Sequence, residues 1–273
     1  MTIPDAEALQ SSLRPETLSG LELLQVLPEI DSTNRYLLDQ PPPSPGCFHV
    51  VLADYQTAGR GRMGKVWRAQ RSSSILLSIA YVFRSPPRTL PTLSLAVGVA
   101  IVEVLRELEV AAVALKWPND ILVDEAKLGG ILIEARGAAS ANVLTVIGLG
   151  LNVDLAGASE KELAPDRSGP IIDLKHCAED LPARVTVAAL LIDAVCNALR
   201  RFDDQGFAAF RDGWNNCDWL RGRHTTVETA SGRITGAADG VDEDGALLLM
   251  TRDGRRSVRS GSIVVSALNG PKT

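Results

Sequence analysis

Between Val143 and Val153 the chain runs almost unbroken through apolar residues, and Gly148, Gly150 and Asn152 stand out from that run. A strand with one wet face alternates polar and apolar side chains, so a run this apolar is covered on both faces. Its glycines then mark close approach by a ligand or by neighbouring backbone, and Asn152 is a polar exception inside a dry element. A chain of 273 residues, 45% of them apolar, has the material for such a core.

Other segments supply partners for that strand. Val26 to Ile30, Phe48 to Ala53, Ile75 to Phe83 and Val110 to Lys116 read as strands. Pro91 to Leu108 reads as a helix, with Leu93, Val97, Ala100, Ile101, Val104, Leu105 and Leu108 on one stripe, and Thr186 caps a second helix running to Phe202. Pro86-Pro87 marks a break, Ala138 to Asn142 a polar link, and residues 154 to 183 an irregular stretch. Residues 1 to 20 read as a short arm. From Leu220 the texture changes to five short runs separated by Ser-Gly and Asp-Gly turns, which is the pattern of a small five-stranded barrel with Asp253-Gly254 at a hairpin tip. Nothing in that module looks catalytic.

The strand ending at Ala53 delivers the chain to Asp54-Tyr55-Gln56-Thr57-Ala58-Gly59-Arg60-Gly61-Arg62-Met63-Gly64-Lys65-Val66-Trp67. Glycines let backbone N–H groups approach an anion, and Arg60, Arg62 and Lys65 supply countercharge. The loop satisfies G-x-G-x-x-G and the first seven positions of G-x-x-x-x-G-K, yet neither pattern has its context. A P-loop needs Ser or Thr after the lysine, where Val66 stands. A dinucleotide fold needs a crossover helix, and Lys65 to Ser74 shows no helical stripe. Both readings are rejected.

Two further stretches carry more polarity than local structure requires. Asp31-Ser32-Thr33-Asn34 offers four capping residues where one helix start needs one, leaving hydroxyl and amide groups for a polar ligand. Lys116-Trp117-Pro118-Asn119-Asp120 forms a rigid turn, and Lys127-Leu128-Gly129-Gly130 precedes the far arm of a hairpin made by Ile121 to Val123 and Ile131 to Glu134. Arg62 and Lys127 both read as turn residues whose truncation spares the fold.

A net charge of -5 argues against a protein that coats nucleic acid. No apolar run approaches a membrane span and no signal peptide is visible, so the expected compartment is the cytoplasm. Cys47, Cys177, Cys196 and Cys217 are scattered without a C-x-x-C pair, which speaks against structural zinc.

Taken together, Asp31 to Asn34, Gln56 with Gly59 to Arg62, Lys116 to Asp120 with Lys127 to Gly130, and Gly148 to Asn152 resemble the biotin protein ligases in order and spacing. The resemblance spans roughly residues 20 to 265. It implies an α+β fold, a mixed and largely antiparallel sheet packed with helices as in class II aminoacyl-tRNA synthetases, followed by an SH3-like barrel. The implied division is an arm over 1–20, a biotin- and ATP-binding catalytic domain over 21–219 and the barrel over 220–273.

It further implies an enzyme that activates biotin with ATP and Mg2+ to biotinyl-5'-AMP and passes biotin to a lysine of a carrier protein, such as the acetyl-CoA carboxylase carrier subunit. Family forms that also repress transcription begin with a helix-turn-helix domain for which this sequence shows no room, so operator binding is not expected; a homodimer is compatible with the family. Carried over by motif, Ser32, Thr33, Asn34, Gln56, Arg60, Gly61, Arg62 and Lys127 would hold biotin. Arg60, Arg62, Lys65, Trp67, Lys116, Asn119, Asp120 and Asn152 would hold ATP or the adenylate. Arg62, Lys127, Lys116 and Asp120 would act in catalysis, with magnesium near Asp120. Two departures stand out: Lys65 replaces a common arginine, and Ser72-Ser73-Ser74 replaces a glycine-containing stretch. The nearest rival is a lipoate or octanoate attachment enzyme, whose flexible apolar acid would leave Asp31 to Asn34 unused.

Overall fold

The protein, seen in a computed structural model, is described over residues 5–83, 90–137, 142–155 and 169–264. Pro86-Pro87, most of the 138–142 link and residues 156–168 of the irregular stretch lie outside them. Seven strands form the larger sheet: β1 (Leu21–Leu27), β2 (Phe48–Ala53), β3 (Ser74–Phe83), β4 (Val113–Lys116), β5 (Asp120–Val123), β6 (Ala126–Arg136) and β7 (Val143–Asn152). Their order is β1-β2-β3-β7-β6-β5-β4. The doubly apolar run is thus the middle strand, and β1 with β2 is the one parallel pair in an otherwise antiparallel sheet. Only a three-residue 3-10 turn, Arg62–Gly64, intervenes between antiparallel neighbours β2 and β3, which is incompatible with a P-loop or dinucleotide crossover helix.

Alternation along β3 sorts the two faces. Ile75, Leu77, Ile79 and Tyr81 join the main core with Val97 and Ile101 of helix α4 (Leu93–Glu107) and Leu191 and Leu199 of α5 (Arg184–Gln205). Ala80 and Val82 face the other way, into a smaller cluster with Leu37 of α3 (Thr33–Asp39), Val51, Leu144 and Val146. Each buried Val, Leu or Ile among them contributes about 1.5–3 kcal/mol. Two short helices, α1 (Ala6–Ser11) and α2 (Pro15–Leu18), occupy the stretch read as an arm. They pack on α5, with Leu9 and Leu13 buried and Asp193 accepting from the Arg14 N–H at 3.2 Å.

Element edges differ from the sequence reading for local reasons. β1 ends at Leu27, ahead of Pro28, which has no N–H to pair. β4 starts at Val113 because Glu109 and Ala112 adopt φ of 59° and 53°, making a turn of what read as strand. Helix α5 begins two residues before Thr186, with no side-chain cap, and continues to a glycine stop at Gly206, φ 64°. Lys127, Gly129 and Gly130 lie within β6 and pair with β5 across a register shift, so Lys127 is a strand residue and not a turn residue.

The second sheet contains β7's chain successors β8 (His224–Thr229), β9 (Gly232–Val241), β10 (Leu247–Thr251), β11 (Gly254–Val258) and β12 (Ser262–Val264), all antiparallel in the order β11-β10-β9-β8-β12. Asp253-Gly254 does form a tip, with Thr251 opposite Gly254. This sheet is bound to the larger one. The Leu115 N–H donates to the Cys217 carbonyl at 2.7 Å, the Trp219 N–H to the Leu115 carbonyl at 2.9 Å, and Trp117 Nε1 to the Gly245 carbonyl at 3.0 Å. The short helix before it, α6 (Arg211–Asn215), packs on α4. Among the described residues no helix is long and apolar enough to cross a membrane.

Asp218 sits in that junction. Its Oδ1 accepts from the Leu220 N–H at 3.0 Å, and its buried Oδ2 has no partner among the described residues. Burial pushes its carboxyl up from 3.8 to about 6, opposed by the Leu220 bond and by Arg221. The folded chain therefore holds that proton more tightly than the unfolded chain. Its contribution to stability is greatest below the unfolded value and is lost as pH rises through about 6, a swing of about 3 kcal/mol. Asp218→Asn is expected to flatten this part of the stability profile. Urea midpoints taken across the acid range would show it, and an unchanged slope would mean that the carboxyl is hydrated.

Candidate functional site

Every residue assigned to the site from the sequence lines a single pocket of about 280 Å³ at one end of the larger sheet. Its floor follows from register. Ser78 stands opposite Gly148, which is opposite Leu132, and Leu76 stands opposite Gly150, which is opposite Gly130. The missing side chains leave a furrow, filled from above by side chains and not by backbone. A β-carbon at Gly148 would overlap the Asn34 amide, and one at Gly150 would lie 2.5 Å from the Trp67 ring.

The α3 end of the furrow is a closed polar network. Ser32 caps α3, its hydroxyl accepting from the Arg35 N–H at 3.5 Å, which leaves Thr33 and Asn34 free of capping work. Thr33 donates from its backbone N–H and its hydroxyl to Gln56 Oε1, at 2.8 and 3.0 Å. Asn34 Nδ2 donates to Glu134 Oε2 at 3.0 Å, which turns Asn34 Oδ1 toward the Ser78 hydroxyl at 2.6 Å. Ser78 is also 2.7 Å from Thr33 Oγ1. Two hydroxyl protons thus serve three oxygen–oxygen contacts, so this buried cluster has acceptors to spare. A ligand presenting N–H groups would balance it.

The other end is cationic. Arg60, Arg62, Lys65, Arg68, Lys116 and Lys127 line the pocket, with Asp120 the one carboxylate among its lining residues. The glycine-rich loop folds back on itself: the Gly61 N–H donates to the Lys65 carbonyl at 2.7 Å and the Trp67 N–H to the Gly59 carbonyl at 3.0 Å. A β-carbon at Gly59 would overlap the Trp67 carbonyl, so glycine is required there. The fold-back aims Arg60 at Glu134, 3.0 Å away, and Arg62 at Asn119 Oδ1, 3.4 Å away. Burial pulls the Arg62 guanidinium below its usual value and Asp120 pushes back, so it stays charged in a partly dry setting.

Lys127 lies between the two ends. Its ammonium is 2.5 Å from Asp120 Oδ1 and 5.4 Å from the centre of the Trp67 ring. Lys116 borders the pocket with its ammonium 5.7 Å over Trp219. Asn119 donates from Nδ2 to the Ile131 carbonyl at 2.9 Å, and Asn152 from Nδ2 to the Ile172 carbonyl at 3.1 Å, which turns both amide oxygens away from those contacts.

Several residues in or behind the pocket wall had no sequence signal. Glu134 and Ser78 read as ordinary strand residues, although each orients Asn34. Ile171 comes from the stretch read as irregular; there the Lys127 N–H donates to the Pro170 carbonyl at 2.9 Å, which holds that stretch beside the pocket. Gly261, Ser262 and Ile263 come from the barrel, and the Ser262 hydroxyl meets the exposed Met63 sulfur of the loop at 3.5 Å. The barrel borders the site it showed no sign of serving.

A mixed sheet with a glycine-arginine loop over a half-polar, half-cationic furrow, followed by a small antiparallel sheet, is the layout of enzymes that attach acyl cofactors to carrier proteins. Residues 26–152 match the biotin/lipoate A/B protein ligase family, and residues 221–266 match the biotin protein ligase C-terminal domain. The chain is 35% identical over 224 residues to the bifunctional ligase/repressor BirA of Escherichia coli, covering 82% of this chain and 68% of that one. It is 33% identical over 270 residues to the biotin--[acetyl-CoA-carboxylase] ligase of Mycobacterium tuberculosis, 94% of this chain and 93% of the relative. The solved biotin protein ligase from Aquifex aeolicus in complex with biotin and ATP superposes with a TM-score of 0.72 at 26% identity, covering 89% of this chain and 98% of that one. The chain belongs to the biotin protein ligase family.

Proposed function

We propose that the chain activates biotin with ATP and transfers it to a lysine of a biotin carrier protein, such as the carrier subunit of acetyl-CoA carboxylase. The observation that carries the reading is the division of one pocket into an acceptor-rich end and a cationic end, with Lys127 between them. Biotin's ureido ring brings two N–H donors for the first, and its valeryl chain places the carboxylate near Lys127. Phosphates fit the second.

In the first step a carboxylate oxygen bonds to the α-phosphorus and the α–β phosphoanhydride bond breaks, releasing pyrophosphate. In the second, the carrier lysine nitrogen bonds to the acyl carbon, AMP departs and the amine loses a proton. Charge gathers on phosphate oxygens in both, so the fixed cations Arg62, Lys127 and Lys116 contribute by electrostatic stabilisation, and no covalent enzyme intermediate is needed. Asp120 orients Lys127 and is the carboxylate that would meet a magnesium ion delivered with the phosphates, because magnesium commonly takes one carboxylate plus phosphate oxygens and water. Bound there, magnesium would neutralise phosphate charge. Arg60, Gly61, Lys65 and Trp67 shape the cover that keeps water from the mixed anhydride.

Pyrophosphate exchange into ATP, measured with biotin, lipoate and octanoate and followed by addition of apo carrier domain, tests the reading. Exchange with biotin and labelling of the carrier are expected; exchange with lipoate or octanoate alone would overturn it. Arg62→Ala should slow exchange about a hundredfold with little loss of stability, because its partner Asn119 keeps a second bond through Nδ2. Near-normal exchange in that variant would remove Arg62 from the chemistry.

A further inference from the structure

The glycine-rich loop leaves the sheet at Asp54 and rejoins it at Ser74, and both stems meet one side chain outside the pocket. Arg184, the first residue of α5, is 3% exposed. Its Nη1 donates to Asp54 Oδ1 at 2.9 Å and its Nη2 donates to the Ser74 carbonyl. The Ser72 hydroxyl donates to the same carboxylate, 3.0 Å from each oxygen. Ser72 has φ of 60°, a left-handed conformation in which a β-carbon is unfavourable. Next to it, the Ser73 carbonyl accepts from the N–H groups of Val153 and Asp154, at 2.8 and 3.0 Å, tying that stem to the end of β7.

An ion pair this buried is a poor source of stability, since well-packed apolar residues serve as well or better. What it does supply is a fixed distance between two stems. We propose that Asp54, Arg184 and Ser72 are positioning residues: a clasp that sets the spacing of the loop's stems and so holds Arg60 and Arg62 over the furrow. None of the three lines the pocket. In its effect on turnover the inference rests on the ligase reading; in its effect on the loop it does not.

The test uses the full chain in three forms. Asp54→Leu with Arg184→Leu replaces the charged pair by apolar side chains, removing the clasp without stranding a buried charge. Ser72→Ala deletes one bond at a half-buried site, and Ser72→Gly deletes it while relieving the left-handed backbone. Amide hydrogen exchange over residues 57–66 of the ligand-free protein, the rate at which preformed biotinyl-adenylate escapes, and melting temperature are read together.

The paired variant is expected to melt near the wild type yet exchange its loop amides and lose adenylate about tenfold faster. Both serine variants should show a smaller effect of the same sign, with KM for biotin rising more than kcat falls. Unchanged loop exchange and adenylate escape in the folded paired variant would overturn the clasp. So would defects that merely track melting temperature across the series. If the paired variant does not fold, the serine variants decide: unaltered loop exchange in both overturns it. A wild type that makes no biotinyl-adenylate would sink the ligase reading, and the loop-exchange comparison would still decide the clasp.

Discussion

Lys127→Ala is expected to lower biotin-dependent pyrophosphate exchange by about a hundred- to a thousandfold, the largest effect of any single truncation at this site. Lys127 lies between the two ends of the furrow, and Asp120 and the Trp67 ring fix its ammonium in place. The variant should not leave the fold untouched. Lys127 lies in a strand, its side chain is 13% exposed, and its loss removes the ion-pair partner of a carboxylate that is itself only 21% exposed. That costs about 1–2 kcal/mol. Lys127→Ala combined with Asp120→Asn should regain the stability and none of the exchange. Exchange near the wild-type rate in the single variant would show that the charge stabilisation comes from elsewhere.

Gly148→Ala should raise KM for biotin about a hundredfold while shifting KM for ATP only a fewfold. The new methyl group overlaps the Asn34 amide, whose Cγ would lie 3.0 Å away, and Asn34 is held by Glu134 and Ser78 and has no slack. When Asn34 swings aside, the order of the hydroxyl network goes with it. Gly148→Ala with Asn34→Ala removes the overlap, so it should restore melting temperature without restoring affinity. If ATP and biotin were weakened alike, the furrow floor would be a general scaffold and not the wall that reads the acid.

Signals confined to one stretch of chain were legible before the structure. Four caps for one helix at Asp31 to Asn34 announced spare polar groups, and Ser32 alone does prove to cap. Arginines alternating with glycines announced an anion site, and the glycines of β7 announced close approach. What approached was not legible: Asn34 comes from α3 and Trp67 from the glycine-rich loop, and neither lies near Gly148 or Gly150 in sequence. Glu134, Ser78, Asp54 and Arg184 carry no local oddity, because each acts through a partner far along the chain. The start of β6 was misjudged for a related reason. Glycines weaken a strand on paper, yet Gly129 and Gly130 stay in one because β5 and β7 pair with them from both sides.

The bond from Trp117 Nε1 to the Gly245 carbonyl gives the turn at Asp242 to Gly245 a part in shaping the furrow. Trp117 borders the pocket and its indole is steered from the barrel, so the two sheets are not interchangeable parts. A chimera that takes the barrel of a relative would inherit a different turn, and with it a different tilt of the wall beside Lys116 and Asn119. Exchanging the barrels of two family members should therefore be a way of altering nucleotide handling without touching a residue of the larger sheet.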